Sequence, residues 1–231
     1  TTPTASNSDT LANIQQISGG SGNDKFIGNS TDNIFIGGAG NDTFIGGAGN
    51  DTFIGGTDAT HDSGTDTADY SSSITSIDAD LTRLSGQVIG NAVTDGTDTL
   101  YGIENIIGTA QADTLVGDAN ANVLTGGAGD DTLKGNGGAD QLLGGLGNDT
   151  IFGGFDGNYI DGSAIGERNI VDYSTFASAS TINLSTGKAY LNSTPTLFDA
   201  LSNIQNVVGT TASDTIVGKS SVVNTLFGGA G

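Results

Sequence analysis

Residues 37–54 read GGAGNDTFI-GGAGNDTFI, one nonapeptide written twice without a change. Reading outward in nines, the frame holds upstream through GNSTDNIFI (28–36) and GGSGNDKFI (19–27). It starts again at Gly108 with GTAQADTLV, GDANANVLT, GGAGDDTLK, GNGGADQLL and GGLGNDTIF, ending at Phe152, and a degenerate GGFDGNYID follows at 153–161. A third array opens at Gly209 with GTTASDTIV, continues with the ten-residue GKSSVVNTLF and stops within GGAG, Gly228–Gly231. A fixed period held over 36 residues and then over 45 marks a solenoid, in which each short unit buries its apolar face only against its neighbours.

The period divides into a turn and a strand. Positions one to six, GGxGxD, demand backbone angles that glycine adopts at least cost. Positions seven to nine form a short strand whose middle residue points inward, because side chains alternate across a strand. Those middle residues are Phe26, Phe35, Phe44, Phe53, Leu115, Leu124, Leu133, Leu142, Ile151 and Ile216, all large and apolar. Position six is Asp at 24, 42, 51, 113, 131, 140, 149 and 214, and Asn at Asn33, Asn122 and Asn224. Two nonapeptides make one coil of a right-handed parallel β-roll, so turns two units apart lie one above the other. The expected fold class is therefore all-β, with roll segments joined by inserted strands.

Composition agrees. Of 26 acidic residues all but Glu104 and Glu167 are Asp, a turn former and a poor helix former. The net charge is −20, with only 6 basic residues, which excludes a nucleic-acid binder. No apolar run of the length needed to span a membrane occurs, and Thr1–Ile14 lacks the basic start and apolar stretch of a secretory leader. Cys is absent, so disulfides hold nothing together. Stacked turns bring carboxylates close, and they repel unless a cation sits between them. Ca²⁺, a hard ion taking about six to eight oxygens from carboxylates and carbonyls, suits such a turn; Mg²⁺ demands a tighter octahedron. Zinc finds no Cys and only His61.

The nonapeptides resemble the repeats-in-toxin (RTX) calcium-binding β-roll family, whose pattern is G-G-x-G-x-D-x-U-x. The close matches are 19–24, 37–42, 46–51, 126–131 and 144–149. The resemblance implies calcium ions, several per chain, held by carbonyls in the turns at Gly20, Gly22, Gly38, Gly40, Gly47, Gly49, Gly127, Gly129, Gly145 and Gly147. It implies carboxylate ligands at Asp24, Asp42, Asp51, Asp66, Asp113, Asp131, Asp140, Asp149 and Asp214. Turns built on Asn33 and Asn122 depart from the pattern and are expected to bind weakly or not at all. The resemblance also implies an extracellular or cell-surface location reached by type I secretion.

A longer unit contains the short one. TLYGIENIIGTAQADTLVG (99–117) matches ALSNIQNVVGTTASDTIVG (200–218), and TLANIQQISGGSGNDKFIG (10–28) is a third copy. DTADYSSS (66–73) answers NIVDYSTF (169–176), and IDADLTRLSG (77–86) answers TINLSTG (181–187). The expected organisation is an entry segment at 1–18, a first roll at 19–71, connecting strands at 72–107, a second roll at 108–173, connecting strands at 174–208 and the start of a third roll at 209–231. Because the sequence begins and ends in mid-pattern, a longer tandem array is expected. Tyr70 and Tyr173 are expected to close the open ends of the rolls, with Asp69, Asp172, Asp58 and Asp62 as further candidate ligands and His61 in a surface loop.

No catalytic constellation emerges around one loop histidine, and the Gly-rich runs lack the ending and helix of a phosphate loop. An enzyme is not expected. Three classes remain: a calcium-rigidified surface-layer, filament or adhesin array; a roll appended to a type I-secreted exoenzyme or toxin; and an ice-binding array built on Thr43, Thr52, Thr132 and Thr150. The first is favoured because the long units themselves repeat. Position nine carries Ile27, Ile36, Ile45, Ile54, Val116, Leu143 and Phe152, which disfavours the third. Rows such as Ile27/Ile45 and Ile36/Ile54 on opposite outer faces are expected to be covered, either by the insert strands near Ile77–Leu81 and Ile182–Leu184 or by a self-associating or head-to-tail neighbour.

Overall fold

A computed structural model of the chain describes residues 14–58, 64–83, 88–90, 96–154, 156–162, 168–220 and 222–231. His61, Asp62 and most of the 1–18 entry segment lie outside these residues. Among the described residues there are twenty-three strands and no helix, hence no helix that could cross a membrane. The strands form two sheets, of 12 and 11 strands.

Nonapeptide strands alternate between the sheets and pair in parallel with the strand two units along. Phe26 lies beside Phe44 in one sheet and Phe35 beside Phe53 in the other. Leu115 pairs with Leu133, which pairs with Ile151, and Leu124 pairs with Leu142. The inward residues fill the space between the sheets: every one predicted is buried except the half-buried Ile216. Phe26, Phe35, Phe44 and Phe53 stack with ring centroids 5.2 to 6.0 Å apart. Each such buried side chain contributes roughly 1.5–3 kcal/mol, so the phenylalanine file anchors the first array.

The inserts do not fold over the outer faces. Each is a three-stranded antiparallel meander lying within a sheet. In the first, Asp78–Asp80, Val88–Ile89 and Thr97–Tyr101 occupy adjacent places in the 12-stranded sheet, with Thr97–Tyr101 paired to Thr52–Ile54 and Asp78–Asp80 paired to Thr114–Val116. In the second, Ser180–Asn183, Lys188–Leu191 and Asp199–Ser202 do the same in the 11-stranded sheet, between Tyr159–Asp161 and Thr215–Val217. Ala79, Val88, Leu100, Ile182 and Ala189 continue the core through the meanders. An even number of strands, from Asn105–Ile107 to Ile170–Asp172, separates the two meanders. Strict alternation therefore puts them in opposite sheets, and the two extra strands gained by one sheet are matched by two in the other.

The expected cover of the position-nine rows by insert strands is thus corrected: alternating residues such as those of 77–81 serve a strand in the sheet as well as one lying across it. The rows do occupy opposite faces, with Ile27 beside Ile45 and Ile36 beside Ile54. Ile36, Ile45 and Ile54 are half-buried and Ile27 is 68% exposed. Aspartates interrupt the rows, Asp69 next to Ile107 in one sheet and Asp80 next to Val116 in the other.

Candidate metal centre

The turn residues build two rows of stacked side chains along the edges of the roll. At position six one carboxylate oxygen, Oδ1, accepts the backbone N–H of the equivalent residue one coil earlier. Asp24 N donates to Asp42 at 2.8 Å, and Asp42 N donates to Asp66 at 2.6 Å. On the other edge Asp113 N donates to Asp131 at 2.8 Å and Asp131 N to Asp149 at 3.0 Å. A short acid suits this place because its oxygen reaches one coil spacing and no further; the ladder fixes the carboxylate and leaves the second oxygen to be accounted for.

That second oxygen, Oδ2, is buried and accepts no hydrogen bond at Asp51, Asp131 and Asp140. It lies over the position-one glycine of its own turn: a Cβ on Gly46, Gly126 or Gly135 would collide with the Oδ2 of Asp51, Asp131 or Asp140. At Gly126 the same Cβ would also strike the carbonyl of Gly144 in the next coil. Position one is therefore glycine for lack of room, and the room is lined by oxygen. Burial, the largest cause, pushes the Asp131 carboxyl up to about 7, with neighbouring Asp113, Asp149 and Asp130 adding to it. Burial likewise pushes Asp51 and Asp140 up to about 6. A carboxylate so placed at neutral pH calls for a proton or a cation.

The donor set fits a hard cation. It consists of carboxylate and carbonyl oxygens, without sulfur or imidazole. Among the described residues no three Asp, Glu, His or Cys side chains gather in one place, so carbonyls must supply much of any coordination shell. The turn glycines are stacked as the sequence predicted. Gly20 pairs with Gly38 and Gly127 with Gly145. Gly40 sits against Gly22, and Gly147 against Gly129, close enough that a Cβ would meet the neighbour's backbone. Gly47 and Gly49 stack instead on Asn29 and Thr31 of the irregular turn 28–33. Asp42, Asp51, Asp66, Asp131, Asp140 and Asp149 are buried, while Asp24, in the first described coil, is half-buried.

Asp113 and Asp214 are held differently. Asp113 Oδ2 accepts Thr109 N at 2.6 Å, and its Oδ1 accepts both Ile77 N and the Thr109 hydroxyl. Asp214 Oδ2 accepts Thr210 N at 2.6 Å, and its Oδ1 accepts Ser180 N and the Thr210 hydroxyl. Asp69 and Asp172 accept Ser71 N and Ser174 N in local turns at the surface.

Residues outside the sequence-derived set also join the ladder. Glu104 and Gln205 accept Asp66 N and Asn169 N where the array meets an insert. Asp98 and Asp199 accept Asp51 N and Asn158 N through Oδ1, and their Oδ2 atoms accept the hydroxyls of Tyr70 and Tyr173, each at 2.8 Å. A tyrosine thus supplies a donor to the oxygen that accepts none in mid-array. The signal was present: Asp98-Thr99-Leu100 repeats the Asp-Thr-Leu of 113–115 and 131–133, and Asp-Tyr recurs at 69–70 and 172–173. Burial raises the Asp199 carboxyl to about 7, and burial with the nearby Asp199 charge raises Tyr173 well above the usual phenol value. Replacing Tyr173 with Phe strips a donor from a buried carboxylate. We expect a loss of about 1–3 kcal/mol, seen as a fall of roughly 2–12 °C in melting temperature, with the number of bound calcium ions unchanged. A changed ion count would overturn that assignment.

No curated protein matches the chain. A profile of the RTX calcium-binding nonapeptide repeat matches four times, over residues 16–30, 27–59, 101–133 and 134–164. These segments carry the stacked glycine turns and the aspartate ladder, and repeats of this kind bind Ca²⁺ between turns. Residues 16–59 and 101–164 are thus RTX calcium-binding nonapeptide repeats.

Proposed function

We propose that this chain is a calcium-dependent structural scaffold of an extracellular repetitive protein, a rod of the kind used in a surface layer, filament or adhesin. The observation that carries the reading is the buried oxygens on both edges of the roll, at Asp51, Asp131 and Asp140, that accept no hydrogen bond. The ligands we assign are the position-six carboxylates of the turns 19–24, 37–42, 46–51, 126–131, 135–140 and 144–149, Asp66, and the carbonyls of the stacked glycines around them. Bound calcium supplies the positive charge that lets these carboxylates stay ionised while buried. The chain's own part is to hold one oxygen of each carboxylate on the backbone ladder and to present the other, beside turn carbonyls, to the space over position one.

Support for a rod comes from the inserts, which extend the sheets instead of ending them. Twelve strands at about 4.8 Å give a sheet roughly 55 Å long. Small-angle scattering with calcium should return an elongated particle of that order; a sphere of the same mass would count against the reading. The half-covered rows Ile36/Ile54 and Ile27/Ile45 support contact with neighbouring chains. Light scattering at millimolar calcium is expected to show concentration-dependent assembly, weakened by Ile27→Asp and Ile54→Asp; a strict monomer at high concentration refutes self-association without touching the calcium reading.

A further inference from the structure

The nonapeptide turns occur in two backbone states, and position two separates them. In the turns 19–24, 37–42, 46–51, 126–131 and 144–149 it is glycine, with φ from 92° at Gly47 to 132° at Gly20. In the turn 135–140 it is Asn136, which holds φ 71° without being glycine. At Asn29, Thr109, Asp118, Thr210 and Lys219 position two has negative φ. There the peptide N–H turns onto the position-six side chain of the same turn. Asn29 N reaches Asn33 Oδ1 at 3.1 Å and Asp118 N reaches Asn122 Oδ1 at 2.9 Å. Thr109 N and Thr210 N reach the Oδ2 of Asp113 and Asp214, and Lys219 N reaches Asn224 Oδ1, each at 2.6 Å.

The two states differ at the atom that matters for a cation. With positive φ the Oδ2 of Asp51, Asp131 and Asp140 is buried with no donor. With negative φ the corresponding oxygen of Asp113 and Asp214 already holds a peptide N–H. The division does not simply follow the residue at position six. Asp113 and Asp214 are aspartates in turns of the second state, and the turn 153–158 has the first state at Gly154, φ 107°, with Asn158 at position six.

We propose that the sign of φ at position two is a latch that decides which turns take calcium. Positive φ leaves the carboxylate oxygen bare for the ion; negative φ puts a backbone N–H in the ion's place. Thr109 and Thr210 strengthen the closed state through their hydroxyls, at 3.0 and 2.8 Å from Oδ1. Asp113 and Asp214 therefore stand in the ladder as hydrogen-bond acceptors and not as calcium ligands, although the motif at position six is intact. The first two turns of the second and of the third array therefore close without metal, as does the turn 28–33 inside the first. The inference rests on the calcium reading above.

Counting ions by native mass spectrometry on the calcium-refolded 231-residue chain tests it. Thr109→Gly frees position two to take positive φ beneath the open turn 126–131 and is expected to bind one ion more than the parent. Thr109→Ala removes the hydroxyl but disfavours positive φ, and is expected to bind the parental number. Asn136→Thr places a β-branched residue where φ is positive and is expected to bind one ion fewer, while Asn136→Gly keeps the count. No gain in Thr109→Gly overturns the latch, and so does an equal gain in Thr109→Ala, which would make the hydroxyl the determinant. A parent that binds no calcium fails the reading of the preceding subsection. A parent that binds calcium, with every variant at the parental count, sinks the latch alone.

Discussion

Exhaustive chelation is expected to abolish the folded state, with loss of the β circular-dichroism signal and a radius of gyration rising to about 50 Å, the size of an unfolded chain of this length. The chain carries a net charge of −20 and turns its aspartates inward at the edges of the roll. Burial pushes Asp131 to about 7 and Asp51 and Asp140 to about 6. Holding them ionised at neutral pH without a cation therefore costs free energy in the fold that the unfolded chain, with carboxyls in water, does not bear. The core offers little to offset this. Each nonapeptide orders nine residues and buries one large side chain, where an ordinary domain buries several from both faces of its elements. Self-repulsion of so acidic a chain then drives expansion. Returning calcium should restore the spectrum, whereas magnesium, which keeps its water and demands a tighter octahedron, should not. A β spectrum and a radius unchanged after chelation would mean that the thin core suffices.

The repeat made the coil legible down to its register. Period nine with alternating sheets requires Phe26 to meet Phe44 and Leu115 to meet Leu133, and they do. The stacking of Gly20 on Gly38 follows from the same arithmetic. The inserts were less legible for a physical reason. Short alternating segments such as 77–81 and 181–184 specify a strand with one buried face but not which edge receives it. Pairing Thr52–Ile54 with Thr97–Tyr101 is a tertiary choice made across 47 residues. Tyr70 was expected to close the roll and its ring is buried in the core. Its hydroxyl's partner, Asp98, comes from a strand that closes the insert and carries no nonapeptide frame. At Asp113 position six fits the motif and position two does not. The neighbouring threonine, which replaces glycine at position two, changes the backbone and with it what the carboxylate holds. Glycine content announced the turns, and threonine in place of glycine at position two, at Thr109 and Thr210, changed what their carboxylates hold.

The sharpest single-residue test compares a mid-array aspartate with an asparagine in a closed turn. Asp131 is 1% exposed; its Oδ1 accepts Asp113 N at 2.8 Å and its Oδ2 has no donor. Asp131→Ala leaves a buried N–H without its acceptor, at a cost of about 1–3 kcal/mol, and removes a carboxylate from the oxygen cradle shared with the next coil. With calcium present the two losses together should lower the melting temperature by on the order of 10 °C, at roughly 2–4 °C per kcal/mol for a chain of this size. The variant should also move the calcium midpoint of folding to higher concentration. Asp131→Asn separates the two effects, since an amide oxygen still accepts Asp113 N but carries no charge. Its melting temperature should fall less than that of the alanine variant, while its calcium midpoint moves about as far. Asn33→Ala is the counterpart in a turn where Asn29 N already occupies the side-chain oxygen at 3.1 Å. Its loss should stay near the cost of one hydrogen bond, about 1 kcal/mol, and its calcium midpoint should hardly move. Equal shifts in the calcium midpoint for Asp131→Ala and Asn33→Ala would show that the ions are held by the carbonyls alone and that the aspartate ladder serves the backbone and nothing else.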